Sequence, residues 1–344
     1  MKDRKFKFIP LVLVAILIYS LTFYGYQILY TPNFLVGGES REFYIDRDAT
    51  FDDVRNTLYD NKYLHDAVSF SFLAKLMDYP DLIKPGRYMI PHDATNLKVI
   101  RMLRAGEQIP VMVTFNNVRL LSELSEKVCA NIELEPAELD SLLESDSVGL
   151  KYGFDKESFR SMFLPNSYEV YWNISAEGFL NKMKAEYDKF WNEERLSKAD
   201  SMGLTPEEVS VLASIVQAET RHNAESKIIA GLYYNRLKIG MPLQADPTLI
   251  FGVGDFEITR VLNVHKAIDS PYNTYKYAGL PPGPINFPTI HSIDAVLNYD
   301  PNNYLYMCAK EDFSGYHNFT ASHREHINNA NKFQKALNRA RIYK

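Results

Sequence analysis

Glu219 closes the run VSVLASIVQAE, in which Leu212, Ile215, Val216 and Glu219 recur at spacings of three, four and seven and so share one helical face. The start of that helix is marked by Thr205 as N-cap, Pro206 at the first helical position and Glu207 and Glu208 in the first turn. A carboxyl that extends an apolar stripe is desolvated, and one at a helix C-terminus meets the carbonyl end of the macrodipole; both effects raise its pKa. A carboxylic acid still protonated near neutral pH can pass its proton to a departing sugar oxygen, as general-acid cleavage of a glycosidic bond requires. The pattern alone also allows a helix-terminal glutamate that lies in water or pairs with Arg221.

Further groups with hydrogen-bonding chemistry follow. Gln244, Asp246 and Thr248 in LQADPT offer an amide, a carboxylate and a hydroxyl to sugar hydroxyls and N-acetyl groups, with Pro247 stiffening a loop, although a self-capped turn fits the same residues. Tyr272, Asn273, Thr274 and Tyr275 combine aromatic faces with polar groups ahead of a rigid Gly-Leu-Pro-Pro-Gly loop that would wall a cleft. His317, His323 and His326 lie near Glu325, but their spacing matches no common zinc pattern and no HExxH occurs, so neither a metal nor any other cofactor is expected. Cys129 and Cys308 form no framework; a single disulfide and two buried thiols are both compatible with their separation.

Four ordered blocks carry a resemblance. LASIVQAET, then YYNRLKIGMPLQADPTLIFG, then PYNTYKYAGLPPGPI, then YHNF with His326 beyond it, look like the MltG-type (YceG-like) endolytic murein transglycosylases. In that family the glutamate of the helix block is catalytic, and it matches Glu219. His317 and His326 match recurrent positions, which implies cleft-shaping or hydrogen-bonding roles, while His323 is extra. One departure is visible: SMFLPNSY stands where the family has a Gly-rich, Glu-containing lead into FPDTY. The resemblance implies a lyase that cuts the bond between N-acetylmuramic acid and N-acetylglucosamine within nascent peptidoglycan strands, leaving 1,6-anhydro ends. One carboxylate suffices for such chemistry, because the muramic 6-hydroxyl is an internal nucleophile. A lysozyme-like hydrolase that uses Asp246 as a second carboxylate, and a non-catalytic glycan-binding scaffold, are the rival readings.

Several elements must position these groups. Phe8 to Tyr30 lacks charge, and at about 1.5 Å per residue it can cross a bilayer core of about 30 Å. Lys2, Arg4, Lys5 and Lys7 precede it, so the expected topology is a single-pass anchor at residues 8–30, with residues 1–7 cytoplasmic and everything beyond the span extracytoplasmic, periplasmic in a Gram-negative cell. A cleaved signal peptide would need a small-residue site, which is not apparent after the apolar run. TPNFLVGGES at residues 31–40 reads as a tether.

Residues 41–106 are expected to form a small module. Phe43 to Ile45 read as a strand, Thr50 and Thr95 as helix caps, Ser69 to Met77 as a helix, Lys84 to Ile90 as a turn and strand, and Gly106 as a stop. This resembles the LysM-like module of wall enzymes. Residues 107–344 complete an α+β catalytic domain, with a linking region over residues 107–200 that contains a strand at Val111 to Phe115 and helices at Leu120 to Ala130 and Ala176 to Trp191.

A formal charge of -5, with 43 acidic and 38 basic residues and no large block of one sign, argues against a nucleic-acid surface. The expected partners are peptidoglycan glycan strands, the cytoplasmic membrane and peptidoglycan synthases; nucleic acid is not among them.

Overall fold

A computed structural model describes residues 3–34, 38–258 and 260–340. Met1 and Lys2, in the segment expected to stay cytoplasmic, and residues 35–37 of the expected tether lie outside the described residues. The chain is α+β and divides into two compact units. The first is Met1–Met112 with Asn131–Leu134 and Glu169–Ile174; the second is Val113–Ala130, Glu135–Tyr168 and Ser175–Lys344.

The first unit begins with α1 (Asp3–Tyr30), whose stretch Phe8–Tyr30 is long and apolar enough to cross a membrane. It is followed by β1 (Pro32–Phe34), β2 (Arg41–Ile45), α2 (Phe51–Asp60), α3 (Ala67–Leu76), β3 (Gly86–Ile90), β4 (Ala94–Thr95) and α4 (Asn96–Ala105). Local sequence specifies most of these boundaries. Thr50 and Asp53 form a reciprocal capping box on α2, Asp66 accepts from two backbone N–H groups of α3, Thr95 caps α4, and Gly106 ends it at φ 75°. β2 and β3 pair antiparallel, Arg41 opposite Ile90 and Ile45 opposite Gly86. Their inward residues Phe43, Ile45, Tyr88 and Ile90 join Val54, Leu58, Phe70, Val99, Ile100 and Leu103 in one core. The stretch expected as a tether is structured at its start, because β1 pairs antiparallel with β4 and buries Asn33 and Phe34.

The chain continues through β5 (Val111–Phe115), α5 (Leu121–Cys129), α6 (Pro136–Leu143), α7 (Asp146–Lys151) and β6 (Asn166–Val170), with β5 and β6 forming a two-stranded sheet. The segment around Asn166 is therefore a strand. The rest of the chain forms α8 (Ala176–Phe190), α9 (Glu193–Met202), α10 (Pro206–Glu219), α11 (Asn223–Lys238), α12 (Asp246–Val253), α13 (Asn263–Lys266), α14 (Ile290–Leu297), β7 (Tyr306–Ala309), β8 (His317–Thr320) and α15 (His323–Arg339). β7 and β8 pair antiparallel, with Ala309 opposite His317.

α10 starts as its sequence demands. Thr205 and Glu208 form a capping box around Pro206. Its interior departs from a one-sided stripe, since every residue from Val209 to Val216 is buried, including Ser210 and Ser214. α11, α12 and α14 pack on it, and its serines are satisfied locally: Ser210 Oγ donates to Pro206 O at 2.9 Å and Ser214 Oγ to Val211 O at 2.7 Å. Such a helix is fixed on all sides, so the residue at its end is held in place.

Candidate active site

Glu219 is the last residue of α10, and Thr220 beyond it is already extended. The carboxyl lines a cleft of about 270 Å³ whose walls also include Tyr233 and Arg236 of α11, Gln244, Asp246, Tyr275, Cys308, His317 and His326. Tyr233 Oη donates to Glu219 Oε1 at 2.6 Å. Burial raises the Glu219 pKa to about 7; the Asp246 charge pushes the same way, while the Tyr233 hydrogen bond and the Arg236 charge oppose it. The desolvation inferred from the stripe is thus the leading cause, joined by a second carboxylate that the stripe could not reveal.

Arg236 is buried and tied to backbone carbonyls. Its Nε donates to Leu305 O at 2.6 Å and one terminal nitrogen to Leu243 O at 2.6 Å, which ties α11 to the chain entering β7 and to the segment before α12. The guanidinium therefore supplies fixed positive charge without pairing directly with Glu219. Asp246 is exposed at the cleft edge and accepts a hydrogen bond from Tyr275 Oη. Gln244 is also exposed, with φ 52°, and its backbone N–H donates to Thr274 O at 3.0 Å. A non-glycine residue in the left-handed region is costly, so the frame around it must enforce this conformation.

That frame corrects part of the sequence reading. Asp246, Pro247 and Thr248 open a helix, not a loop, because Pro lacks an N–H that a first helical turn would leave unpaired in any case. Thr248, Asn273 and Thr274, expected to meet sugar, lie beneath the surface. Thr248 Oγ1 donates to Ala245 O at 2.8 Å and lies 2.8 Å from Thr274 Oγ1, which accepts from Ala245 N at 3.0 Å. Asn273 spends its amide on Lys266 O and Ile268 O and its carbonyl on the N–H groups of Tyr275 and Lys276. These side chains hold up the two segments that carry Gln244, Asp246 and Tyr275. Tyr272 lines a different pocket, with Arg160 and Phe251.

His317 and His326 both line the cleft, and His323 is exposed at the start of α15. Glu225, buried near the start of α11, accepts from His317 N at 2.8 Å and lies 2.9 Å from His317 Nδ1. That pairing makes Nδ1 the donor and fixes the ring's orientation. His326 stacks on Tyr306 with ring centroids 5.3 Å apart, and its pKa is lowered by burial first and then by the Arg236 charge. Cys129 and Cys308 are free thiols. Among the described residues no group of three or more His, Cys, Asp or Glu side chains is arranged to hold a metal ion.

Sequence reasoning missed Tyr233, Arg236 and Glu225. The first two lie three apart, and so on one face of α11, which was a usable signal. Glu225 and His317 are 92 residues apart, and no local pattern joins them.

A second depression of about 460 Å³ adjoins the end of α10. It is lined by Gln217 and Ala218, by Pro247 and Phe251 of α12, and by Arg119 and Asn286. Gln217 is a structural tie here, with its amide donating to Asn286 Oδ1 and Phe287 O and accepting from Thr289 N at 2.7 Å.

Together these features define an α+β protein with an N-terminal apolar helix and, in an open cleft, a half-buried acid whose pKa is raised to about 7. The chain belongs to the YceG-like family, whose model matches residues 43–332. It is similar to the endolytic murein transglycosylase of Streptococcus pneumoniae, 26% identical over 326 residues, with 83% of this chain and 58% of that protein covered. It is also similar to the endolytic murein transglycosylase of Bacillus subtilis, 42% identical over 127 residues, with 37% of this chain and 34% of that protein covered. The chain thus spans less than two thirds of the length of these relatives. A solved YceG-like protein from Listeria monocytogenes shares its fold with a TM-score of 0.54 at 24% identity, covering 84% of this chain and 98% of that one.

Proposed function

We propose that this protein is an endolytic peptidoglycan lytic transglycosylase with Glu219 as its acid and base. The observation that carries the reading is the carboxyl of Glu219, held at a pKa of about 7 by burial at the base of an open cleft. Protonated, Glu219 gives its proton to the oxygen bridging N-acetylmuramic acid and N-acetylglucosamine, and the bond from that oxygen to the muramic anomeric carbon breaks. As carboxylate it then takes the proton of the muramic 6-hydroxyl, whose oxygen closes on the same anomeric carbon. The acid is regenerated and no water is consumed. A single carboxylate with a pKa near the working pH is suited to both halves of this exchange.

Gln244, Asp246, Tyr275, His317 and His326, which line the cleft with Glu219, are the side chains available to bind sugar. The β2–α2–α3–β3 arrangement supports reading residues 41–106 as a LysM-like glycan-binding module. Phe8–Tyr30 acts as a membrane anchor with the cleft outside the cytoplasmic membrane, near the site where synthases extrude new glycan.

Product analysis tests this directly. Purified glycan strands treated with the full chain should yield new internal 1,6-anhydro ends, and Glu219→Gln should lower their formation by about two to four orders of magnitude. Reducing muramic ends instead would mean hydrolysis, with Asp246 as the second carboxylate. An unchanged rate in the Gln variant would remove Glu219 from the chemistry.

A further inference from the structure

The span Phe8–Tyr30 has 23 residues and rises about 34 Å as a helix, against a hydrocarbon core of about 30 Å. Its last turn therefore reaches the headgroup layer. That same turn is already part of the folded first unit. Ile28, 5% exposed, lies in the unit's core, and its carbonyl accepts from Asn96 Nδ2 at 3.2 Å. The chain then enters β1 with no slack. Buried Asn33 donates to Asp66 O at 2.9 Å and to Asn96 Oδ1 at 2.8 Å, and its own Oδ1 accepts from Asp66 N at 2.7 Å. Asp66 is the N-cap of α3, so the start of α3 is joined to the exit of α1 through one side chain, and α3 packs beside α1.

α3 is apolar on its outer face as well as its inner one. Phe70, Leu73 and Ala74 enter the core, whereas Val68, Phe72 and Leu76 are 73%, 59% and 69% exposed. At spacings of four these three form one stripe along the helix, with exposed Lys75 beside it. The Asp66 carboxylate at the start of the stripe is occupied in capping the N–H groups of Val68 and Ser69.

We propose that the Val68–Phe72–Leu76 face of α3 docks into the outer leaflet of the bilayer, seating the first unit on the membrane surface. This rests on reading α1 as a membrane anchor. The occupant is lipid because the stripe belongs to a unit joined without slack to a helix whose apolar surface ends at headgroup height. An apolar stripe flanked by a lysine is suited to the boundary between headgroups and acyl chains. Docking would hold any glycan bound by this unit at a set height above the membrane.

The test uses the full chain in lipid nanodiscs, comparing tryptophan quenching by phosphatidylcholine brominated near the headgroup or near the chain end. Native Trp172 and Trp191 give the background, measured on the unsubstituted protein. Tyr19→Trp, within α1, should be quenched by deep bromines. Phe72→Trp should be quenched by shallow bromines at least about twofold more than Tyr59→Trp on the exposed surface of α2. Val68→Trp carries the same expectation should Phe72→Trp misfold. If Tyr19→Trp is quenched but both α3 variants respond no more than Tyr59→Trp, the docking is overturned and the anchor stands. If Tyr19→Trp is unquenched, the anchor reading fails and the docking with it.

Discussion

The hydroxyl of Tyr233, in the middle of α11, donates to Oε1 of Glu219 at the end of α10 across 2.6 Å. The bond joins two helices at the acid and acts on both of its protonation states. It stabilises the carboxylate, and so lowers a pKa that burial drives up. It also fixes the carboxyl in one rotamer, leaving the second oxygen to serve substrate.

Tyr233→Phe removes that donor and keeps the ring. A hydrogen bond to a charged group contributes about 1.5–3 kcal/mol, so the Glu219 pKa should rise by roughly one to two units. The wild-type rate should fall as pH rises through about 7, where the acid is lost. In the variant that alkaline limb should move to higher pH. The maximal rate should drop about tenfold, because the carboxylate becomes a less well-positioned base. An unmoved limb in a pH–rate profile would deny Tyr233 any influence on the acid.

Glu225 holds His317 through both its backbone N–H and its ring, from inside the protein. Glu225→Ala leaves these donors unpaired and should cost about 2–4 kcal/mol in denaturant unfolding. Glu225→Gln keeps one acceptor and should recover about half of that loss. If His317 binds sugar, KM for glycan should rise in the Gln variant more than kcat falls. A change in kcat alone would assign His317 to the chemical step.

Gly283 lies in the Pro-rich loop, where a Cβ would meet Glu157 O at 2.0 Å. A backbone oxygen cannot give way as a flexible side chain can, so Gly283→Ala must displace the loop. The same loop delivers Ile285 N to Ser214 Oγ at 3.0 Å and Asn286 Nδ2 to Ser214 O at 2.9 Å, both on α10. The expected cost is about 1–3 kcal/mol, with loss of activity from misplacement of the helix that carries Glu219. Thermal unfolding with wild-type Tm would show that the loop can yield after all.

The parts of this architecture that could be read in the sequence are those with local causes. The Thr205-Pro206-Glu207-Glu208 start of α10, the Thr50 and Thr95 caps and Gly106 each act within one turn of the chain. The spacing put Glu219 in line with the apolar positions of α10 but left water and Arg221 open as its surroundings, and only the packing of distant segments decides for desolvation. LQADPT misled because Asp-Pro suits a turn and a first helical turn equally, and only α12 beyond it decides between them. Asn273 and Thr274 have side chains as fit for sugar as for backbone, and their burial is set by contacts with distant segments. The β7–β8 hairpin and the Glu225–His317 pair depend on contacts that no short window contains.

Glu219→Gln separates the stability of the site from its chemistry. The folded-state pKa of Glu219, about 7, lies above its ordinary value of 4.5, so between these pH values the folded protein binds more protons than the unfolded chain. Stability contributed by the neutral acid is fully present below about pH 4.5 and is lost as pH rises through 7. At pH 8 the wild type carries a carboxylate in a site that disfavours it, at a cost on the order of 1–2 kcal/mol once the solvent reaching the cleft is discounted. The Gln variant carries no such charge and can still accept the Tyr233 hydrogen bond through its amide oxygen. Its Tm should exceed that of the wild type at pH 8, and the gap should close as pH falls towards 5. A variant less stable than the wild type at pH 8 would show that the carboxylate is a stabilising partner of Arg236 and Tyr233, and the raised pKa on which the acid role depends would have to be abandoned.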